Sequence, residues 1–262
     1  MAPLMRWVNA VLALVYPECC QICRKARATP AEGFVCAGCR QDVRFIEAPF
    51  CRRCGMPFQG QINQEFECSN CLDVVWHFEY ARAAVHAKGV VLDVIHRYKY
   101  TRQLWFEPFL AGLLSSVACG TSPFGMKSRP GSGATPAPAL ISEVDWDLLI
   151  PVPLHPVKER EREFNQAVRL ARRLSPVSGI PTDCKVLRRV IQTRTQTRLS
   201  REERLQNVRN AFELRKGADL SGKRVILIDD VLTTGATTNA CAEVLRGGGA
   251  SKVCVWTVAR RT

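Results

Sequence analysis

Eight of the thirteen cysteines fall in the first 71 residues as four Cys-x-x-Cys pairs, with 12, 11 and 13 residues between successive pairs. Two residues between cysteines let a tight turn present both sulfurs to one metal ion, and a second such turn about a dozen residues later completes a tetrahedron. The spacing predicts about two structural Zn²⁺ sites with no open position for catalysis. Their ligands would be Cys20, Cys23, Cys36, Cys39, Cys51, Cys54, Cys68 and Cys71.

Spacing alone leaves the pairing of these turns open. We favour sequential pairing, 20/23 with 36/39 and 51/54 with 68/71, which resembles a double zinc ribbon. A cross-braced pairing would use the same residues. Paired Cys-x-x-Cys turns are typical of metal sites in a reduced compartment and not of a disulfide framework, so we expect a cytoplasmic protein. Cys19, beside Cys20, is a spare or competing ligand. The module has little apolar sequence, so metal binding is expected to supply its folding energy.

Positive charge is concentrated in the middle of the chain. Of the 262 residues, with formal net charge +13, those from 158 to 216 contain 16 Lys and Arg against 7 Asp and Glu. Residues 1–75 contain 8 against 7. The basic segment is either a solvated face or an attractor of phosphate-rich ligands or nucleic acid. The apolar stretch at 8–16 predicts an amphipathic helix and is too short for a transmembrane segment.

Beyond residue 76 the sequence alternates between strand-like and helical patterns. It predicts a short alternating strand at 79–86 and buried strands at 147–153, 225–229 and 252–259, with helical patterns between them. A stretch rich in glycine, proline and serine, at about 118–144, is expected to be a flexible insertion. We therefore predict an α/β domain at 76–262 with a largely parallel sheet and flanking helices. An N-terminal helix and the zinc module, at 1–75, precede it.

The stretch VILIDDVLTTGATT, at 225–238, predicts a ligand site at a strand end. Asp229 and Asp230 follow an apolar run, and a threonine-rich loop then opens the next helix. Ligands of such sheets lie beyond the carboxyl ends of the strands, and a helix N-terminus suits a phosphate. The acids would take a sugar's vicinal hydroxyls, and the loop its 5′-phosphate. A strand cap without a ligand is the alternative. The loop residues are Thr233, Thr234, Gly235, Ala236 and Thr237.

This stretch resembles the phosphoribosyl-pyrophosphate signature of type I phosphoribosyltransferases. With the four cysteine pairs and the segments HRYKY, PVPL and FNQA, it makes the chain similar to the ComF competence-protein family, except at 118–144. Two family blocks are matched by Arg162, Phe164, Asn165 and Gln166, and by Arg188, Thr193, Gln196, Arg204, Asn207 and Phe212. The resemblance implies a phosphoribosyltransferase-like fold and a role in DNA uptake during natural transformation, often beside a helicase-like ATPase.

The resemblance also implies how the site would work. Mg²⁺ would bridge the ribose hydroxyls and the pyrophosphate, and Arg162 would join the two acids as a catalytic residue. From their place after the PVPL segment, we further expect Lys158 and Arg160 to bind the pyrophosphate with it. No residue identifies the acceptor. Glu163 stands where the family usually has glycine, and its carboxylate either points inward, weakening pyrophosphate binding, or faces solvent.

A second hypothesis is a non-catalytic module that senses this ligand or handles single-stranded DNA. The basic segment suits such a role, but only Phe164 and Phe212 supply aromatic rings within it. Single-strand binders combine basic grooves with aromatic platforms, so the sparse rings count against a dedicated DNA surface there. The chain has no G-x-x-x-x-G-K-[ST] sequence, which disfavours a nucleotide-hydrolysing motor.

Overall fold

The computed structural model describes residues 18–60, 62, 64–120, 145–192, 208 and 210–262. The expected N-terminal helix and most of the expected insertion, residues 121–144, lie outside the described residues. So do four members of the second family block, Thr193, Gln196, Arg204 and Asn207.

A parallel sheet forms the centre of the fold. The strands are, along the chain, β1 (Ala81–His86), β2 (Leu148–Pro151), β3 (Leu187–Arg189), β4 (Phe212–Leu214), β5 (Arg224–Leu232) and β6 (Lys252–Arg260). Four of them form one parallel sheet in the order β1-β6-β5-β2. Strands β3 and β4 pair with each other in antiparallel orientation. The parallel order brings the carboxyl ends of β2, β5 and β6 to one edge.

Helices cover both faces of this sheet. Along the chain, the helices of the described residues are α1 (Ala37–Gln41), α2 (Ser69–Leu72), α3 (Gly89–Tyr100), α4 (Glu107–Cys119), α5 (Pro156–Arg162), α6 (Gln166–Ser178) and α7 (Ala236–Gly247). Ile226 and Ile228 of β5 pack in the same core as α3, α4 and α6. Val225 and Leu227 face the opposite core, which contains α7. Because both faces of the sheet are covered, β5 is apolar at every position from Val225 to Ile228.

The predicted α/β fold with its largely parallel sheet is confirmed, with two differences. Strand β1 does not alternate, because Ala81, Ala83, Ala84 and Val85 are all buried. Strand β5 does not end at Asp229, because it pairs with β6 as far as Leu232. The acidic pair therefore lies within a strand. Every helix in the described ranges is too short or too polar to cross a bilayer.

Candidate active site and zinc sites

The eight paired cysteines form two separate tetrads, and within each the four Sγ atoms lie within 4.8 Å of one another. The pairing is therefore sequential: the first tetrad is Cys20, Cys23, Cys36 and Cys39, and the second is Cys51, Cys54, Cys68 and Cys71. Neighbouring Sγ atoms are 3.6–3.8 Å apart. Tetrahedral zinc with bonds of about 2.3 Å would separate its sulfurs by about 3.8 Å, so each tetrad fits one Zn²⁺.

The two zinc ribbons repeat the same local geometry. The backbone N–H of Cys36 donates to Sγ of Cys20, and that of Cys68 donates to Sγ of Cys51, both at 3.3 Å. Hydrogen bonds to sulfur favour the thiolate form that zinc requires. None of the thirteen cysteines forms a disulfide.

A cleft of about 330 Å³ opens at the carboxyl edge of the sheet. Its walls come from the ends of α3 and β5, the start of α5 and the loop before α7, and both Asp229 and Asp230 line it. The cleft also has basic side chains from four separate parts of the chain. They are Lys99, Lys158, Arg162, Arg189 and Arg261. Two acids among five cations suit a ligand that combines sugar hydroxyls with several phosphates.

The two acids have different surroundings. Asp230 is 4% exposed, and its Oδ2 lies 2.7 Å from Nζ of Lys99. Asp229 accepts a hydrogen bond at 2.8 Å from the backbone N–H of Asp230. Burial and the neighbouring Asp230 carboxylate raise the pKa of Asp229 to about 7, against the opposing effect of Lys99. The structure thus places one ion-paired carboxylate beside one that titrates near neutral pH.

The threonine-rich loop has two sides. Thr233, Gly235, Ala236 and Thr237 line the cleft, where the free N–H groups at the start of α7 can bind an anion. Thr234 does not line the cleft, but with Thr233 it lines a second cavity of about 180 Å³ behind the loop. Its hydroxyl accepts a hydrogen bond from the backbone N–H of Ala236, which shapes the turn.

Glycine is required at the centre of this loop. Gly235 has φ +81°, in the left-handed region, and a Cβ atom there would lie 2.9 Å from the indole ring of Trp76. Both the backbone conformation and the close indole therefore exclude a side chain.

Helix α5 presents only part of the predicted basic group to the cleft. Lys158 and Arg162 line it, one helical turn apart on the same face. Arg160 lies on the opposite face, is exposed and does not line the cleft. The expectation that all three residues meet the pyrophosphate therefore conflicts with the helical geometry at Arg160.

Glu163 follows α5 in the left-handed conformation, with φ +67°. This backbone geometry explains why glycine suits the position. The Glu163 carboxylate pairs with Arg102, and Glu163 is not among the residues that line the cleft. The Glu163 carboxylate therefore faces outward and does not point into the cleft.

Several lining residues were not predicted as ligands. Lys99 and Tyr100 belong to the HRYKY segment of the family pattern, and Arg261 follows the last strand. Gln166 is 3% exposed, lines the cleft, and has a buried Nε2 atom with no partner in the described structure. Its neighbour Asn165 caps α6 through Oδ1 and donates to the carbonyl of Val152.

Comparison with known proteins agrees with this two-part architecture. The model of a double zinc ribbon domain matches residues 11–72, and that of a phosphoribosyl transferase domain matches residues 131–262. Competence protein F of Haemophilus influenzae is 30% identical over 231 residues, which cover 88% of this chain and 92% of the relative. The chain belongs to the ComF family.

Further ComF-family relatives match over most of the chain. Competence protein ComFC of Bacillus subtilis is 35% identical, covering 86% of this chain and 84% of its own. The DNA utilization protein YhgH of Salmonella typhi is 29% identical, covering 94% and 99%. Among solved structures, adenine phosphoribosyltransferase of Leishmania tarentolae covers 60% of this chain and 58% of its own at 16% identity, with a TM-score of 0.32.

Proposed function

We propose that this ComF-family protein binds phosphoribosyl pyrophosphate with Mg²⁺ in the cleft and transfers the phosphoribosyl group to an acceptor during DNA uptake. One observation carries the proposal. The acidic pair, an anion-binding helix N-terminus and basic side chains from separate elements all line the same cleft. A sugar that carries phosphate at one end and pyrophosphate at the other complements these groups in number and sign.

The acids would hold the ribose. Carboxylate oxygens of Asp229 and Asp230 would accept hydrogen bonds from vicinal hydroxyls, and Lys99 forms an ion pair with the Asp230 carboxylate. The loop N–H groups before α7 would take the 5′-phosphate. Lys158 and Arg162, across the cleft on α5, would then receive the pyrophosphate.

Mg²⁺ would enter with the ligand. The described residues offer no third carboxylate beside the acidic pair, and the only groups of three or more possible metal ligands among them are the cysteine tetrads. Mg²⁺ commonly binds through one or two carboxylates together with substrate phosphates, and the acidic pair fits that pattern. Bound there, the ion would neutralise charge on the departing pyrophosphate.

Transfer would break the bond between the anomeric carbon and pyrophosphate, with positive charge developing on the ribose ring. The chain's contribution is to fix the ribose through the acids and to stabilise the negative leaving group through its cations. The outward position of Glu163 keeps a carboxylate away from that leaving group.

Calorimetry with phosphoribosyl pyrophosphate and Mg²⁺ tests the proposal. The wild type should bind, and Asp229→Asn with Asp230→Asn should remove binding. Arg162→Gln should weaken it by about tenfold or more, because one charge-assisted contact is lost. Arg160→Gln is the matched control, two residues away on the other helix face, and should change affinity by less than about twofold. No binding by the wild type refutes the proposal, and binding without turnover of any common base refutes transfer while leaving ligand sensing.

A second candidate function is the handling of single-stranded DNA. Phe164 packs against Tyr98 and Phe212 is buried, so neither ring of the basic segment is available for stacking. Tyr100 and Trp105, however, are 58% and 43% exposed, and Tyr100 lines the cleft with the Arg162 guanidinium 5.2 Å from its ring centroid. Exposed rings beside cations are the platform that single strands use.

Binding of a labelled oligonucleotide at several salt concentrations tests this candidate. Affinity should fall steeply as salt rises, and Tyr100→Ala should weaken it by about tenfold. Leu92→Ala, on the same helix, is the control for loss of an exposed apolar side chain. A flat salt dependence would exclude the DNA role. A helicase-like ATPase partner, implied by the family resemblance, and a cytoplasmic location, expected from the cysteine spacing, stay predictions.

A further inference from the structure

We infer that the second zinc ribbon, and not the first, positions the phosphate-binding loop, with Arg260 and Trp76 as the positioning residues. The inference rests on the proposed function for its ligand, but the contacts that carry it are independent of any ligand. Both residues contact the second cysteine tetrad on one side and reach the loop at residues 233–235, directly or through the strand that precedes it, on the other.

Arg260 is a buried cation at the end of β6. It is 3% exposed, and its Nη2 donates to Sγ of Cys54 at 3.3 Å. No carboxylate among the described residues forms an ion pair with it. Four thiolates around Zn²⁺ carry a formal charge of −2, so the zinc site supplies the negative charge that makes burial of Arg260 tolerable.

The same strand end connects Arg260 to the loop. Arg260 pairs in register with Leu232, the last residue of β5, and the backbone N–H of Arg261 donates to the Leu232 carbonyl at 2.9 Å. Thr233, the first residue of the loop, follows directly. A displacement of Arg260 therefore moves the strand end from which the loop begins.

Trp76 makes a second, direct connection. Its Nε1 donates to the carbonyl of Cys71, a zinc ligand, and its ring packs in the apolar cluster of the second tetrad. The opposite edge of the indole lies against Gly235, where it occupies the space of a side chain. Nearby, Asn239 of α7 accepts from the N–H of His77 at 2.7 Å and donates to the carbonyl of Val75 at 2.9 Å.

The loop depends on these contacts because it is not tightly packed from behind. The cavity of about 180 Å³ separates it from the second ribbon and is lined by Cys54, Cys71, Trp76, Thr233 and Arg260, among others. The loop therefore rests on the indole and on the strand end, with open space between them. Loss of either support should let it move.

The first zinc ribbon makes no comparable contact. Its described residues, 18–50, line neither the cleft nor the cavity. It packs instead on the helical side, where Arg97 of α3 donates to the carbonyl of Gln21 at 2.8 Å and Gly33 lies against Phe109 of α4. The chain thus provides its own control, because the two zinc sites share one geometry and only the second is connected to the loop, through Trp76 and Arg260.

The test compares Cys54→Ser with Cys23→Ser, which alter equivalent positions of the two ribbons. Metal analysis should give about one zinc per chain in each. Cys54→Ser should weaken binding of phosphoribosyl pyrophosphate by about tenfold or more and speed amide exchange at residues 233–238. Cys23→Ser should change both by less than about twofold. Equal effects of the two substitutions, or no effect of Cys54→Ser, would overturn the inference.

Two further variants cover the case in which Cys54→Ser does not fold. Trp76→Phe and Arg260→Met keep all eight zinc ligands, so about two zinc ions should remain bound, while ligand affinity falls several-fold and loop exchange rises. Arg260→Lys retains the buried cation and should restore most of the affinity lost in Arg260→Met. Unchanged loop exchange in both Trp76→Phe and Arg260→Met would refute the positioning role. If wild-type protein binds no phosphoribosyl pyrophosphate, the proposed function fails, and amide exchange still decides this inference.

Discussion

Lys99→Met should destabilise the protein strongly, because it removes the cation that balances the acidic pair. The Lys99 ammonium lies 2.7 Å from the Asp230 carboxylate, and the two side chains are 19% and 6% exposed. At that distance two unit charges attract by about 6 kcal/mol with an effective dielectric constant of about 20. Breaking a buried pair costs about 3–5 kcal/mol in practice. The partial exposure of Lys99 places our expectation at the lower end, about 3 kcal/mol.

The stability lost in Lys99→Met should depend on pH. The pKa of Asp229 is raised to about 7 in the folded protein, above the ordinary value of 3.8. When the pKa of a carboxyl group is higher in the folded than in the unfolded protein, the fold loses stability as pH rises from the unfolded pKa through the folded pKa. Removing Lys99 raises this pKa further. Lys99→Met should therefore cost more at about pH 8, where Asp229 is charged in the wild type, than at about pH 5.5, where Asp229 is protonated.

Urea unfolding at the two pH values, with zinc kept constant, measures this difference. Lys158→Met is the matched control, because Lys158 lines the same cleft but forms only an exposed pair with Glu161, and it should cost less than about 1 kcal/mol. Adding Asp230→Asn to Lys99→Met should recover about 2 kcal/mol, since the unpaired buried charge is gone. A free energy of unfolding for Lys99→Met within about 1 kcal/mol of wild type at about pH 8 would refute the reasoning.

Three other predictions follow from single residues or sites. Asp229→Asn should raise the free energy of unfolding at about pH 8 by about 1–2 kcal/mol and abolish ligand binding, as urea unfolding and calorimetry would show; lower stability would contradict the raised pKa. Glu163→Gly should raise the free energy of unfolding by up to about 1 kcal/mol, and with it the melting temperature, because φ is +67° at this position. Ligand affinity should stay unchanged; weaker binding would place Glu163 in the site. Metal analysis should find about two zinc ions per wild-type chain and about one after Cys51→Ser; a metal-free folded protein would exclude the zinc sites.

Local sequence features predicted well because their geometry is set by neighbours in the chain. Two residues between cysteines fix a knuckle, and the run from Val225 to Thr238 specifies strand, loop and helix within one segment. The end of β5 was missed because strand length depends on the partner strand. Pairing with Ala259 and Arg260 carries β5 past the acids to Leu232, and no signal within β5 itself reports that.

Residues brought to the site from elsewhere were harder to predict. Lys99 reaches Asp230 because α3 ends beside β5, and Arg260 meets Cys54 across 206 positions of sequence. Neither contact has a local signature, since each depends on strand order in the sheet. One usable signal is the acidic pair itself, because two adjacent carboxylates require a nearby cation, and the HRYKY segment contains Lys99.

Lys99, which is partly exposed, and Arg260, which is buried, explain how a basic protein keeps two negative sites beside the threonine-rich loop. Lys99 offsets the acidic pair in the cleft, and Arg260 offsets the zinc thiolates behind the loop. Each is directed at a negative group, so neither is free to bind a phosphate. The cations that line the cleft besides Lys99 include Lys158 and Arg162 on α5 and Arg261 after β6, and the helix N-terminus of α7 adds its N–H groups. Because these groups lie on different walls of the cleft, they favour a ligand with two separate phosphate groups over one with a single phosphate.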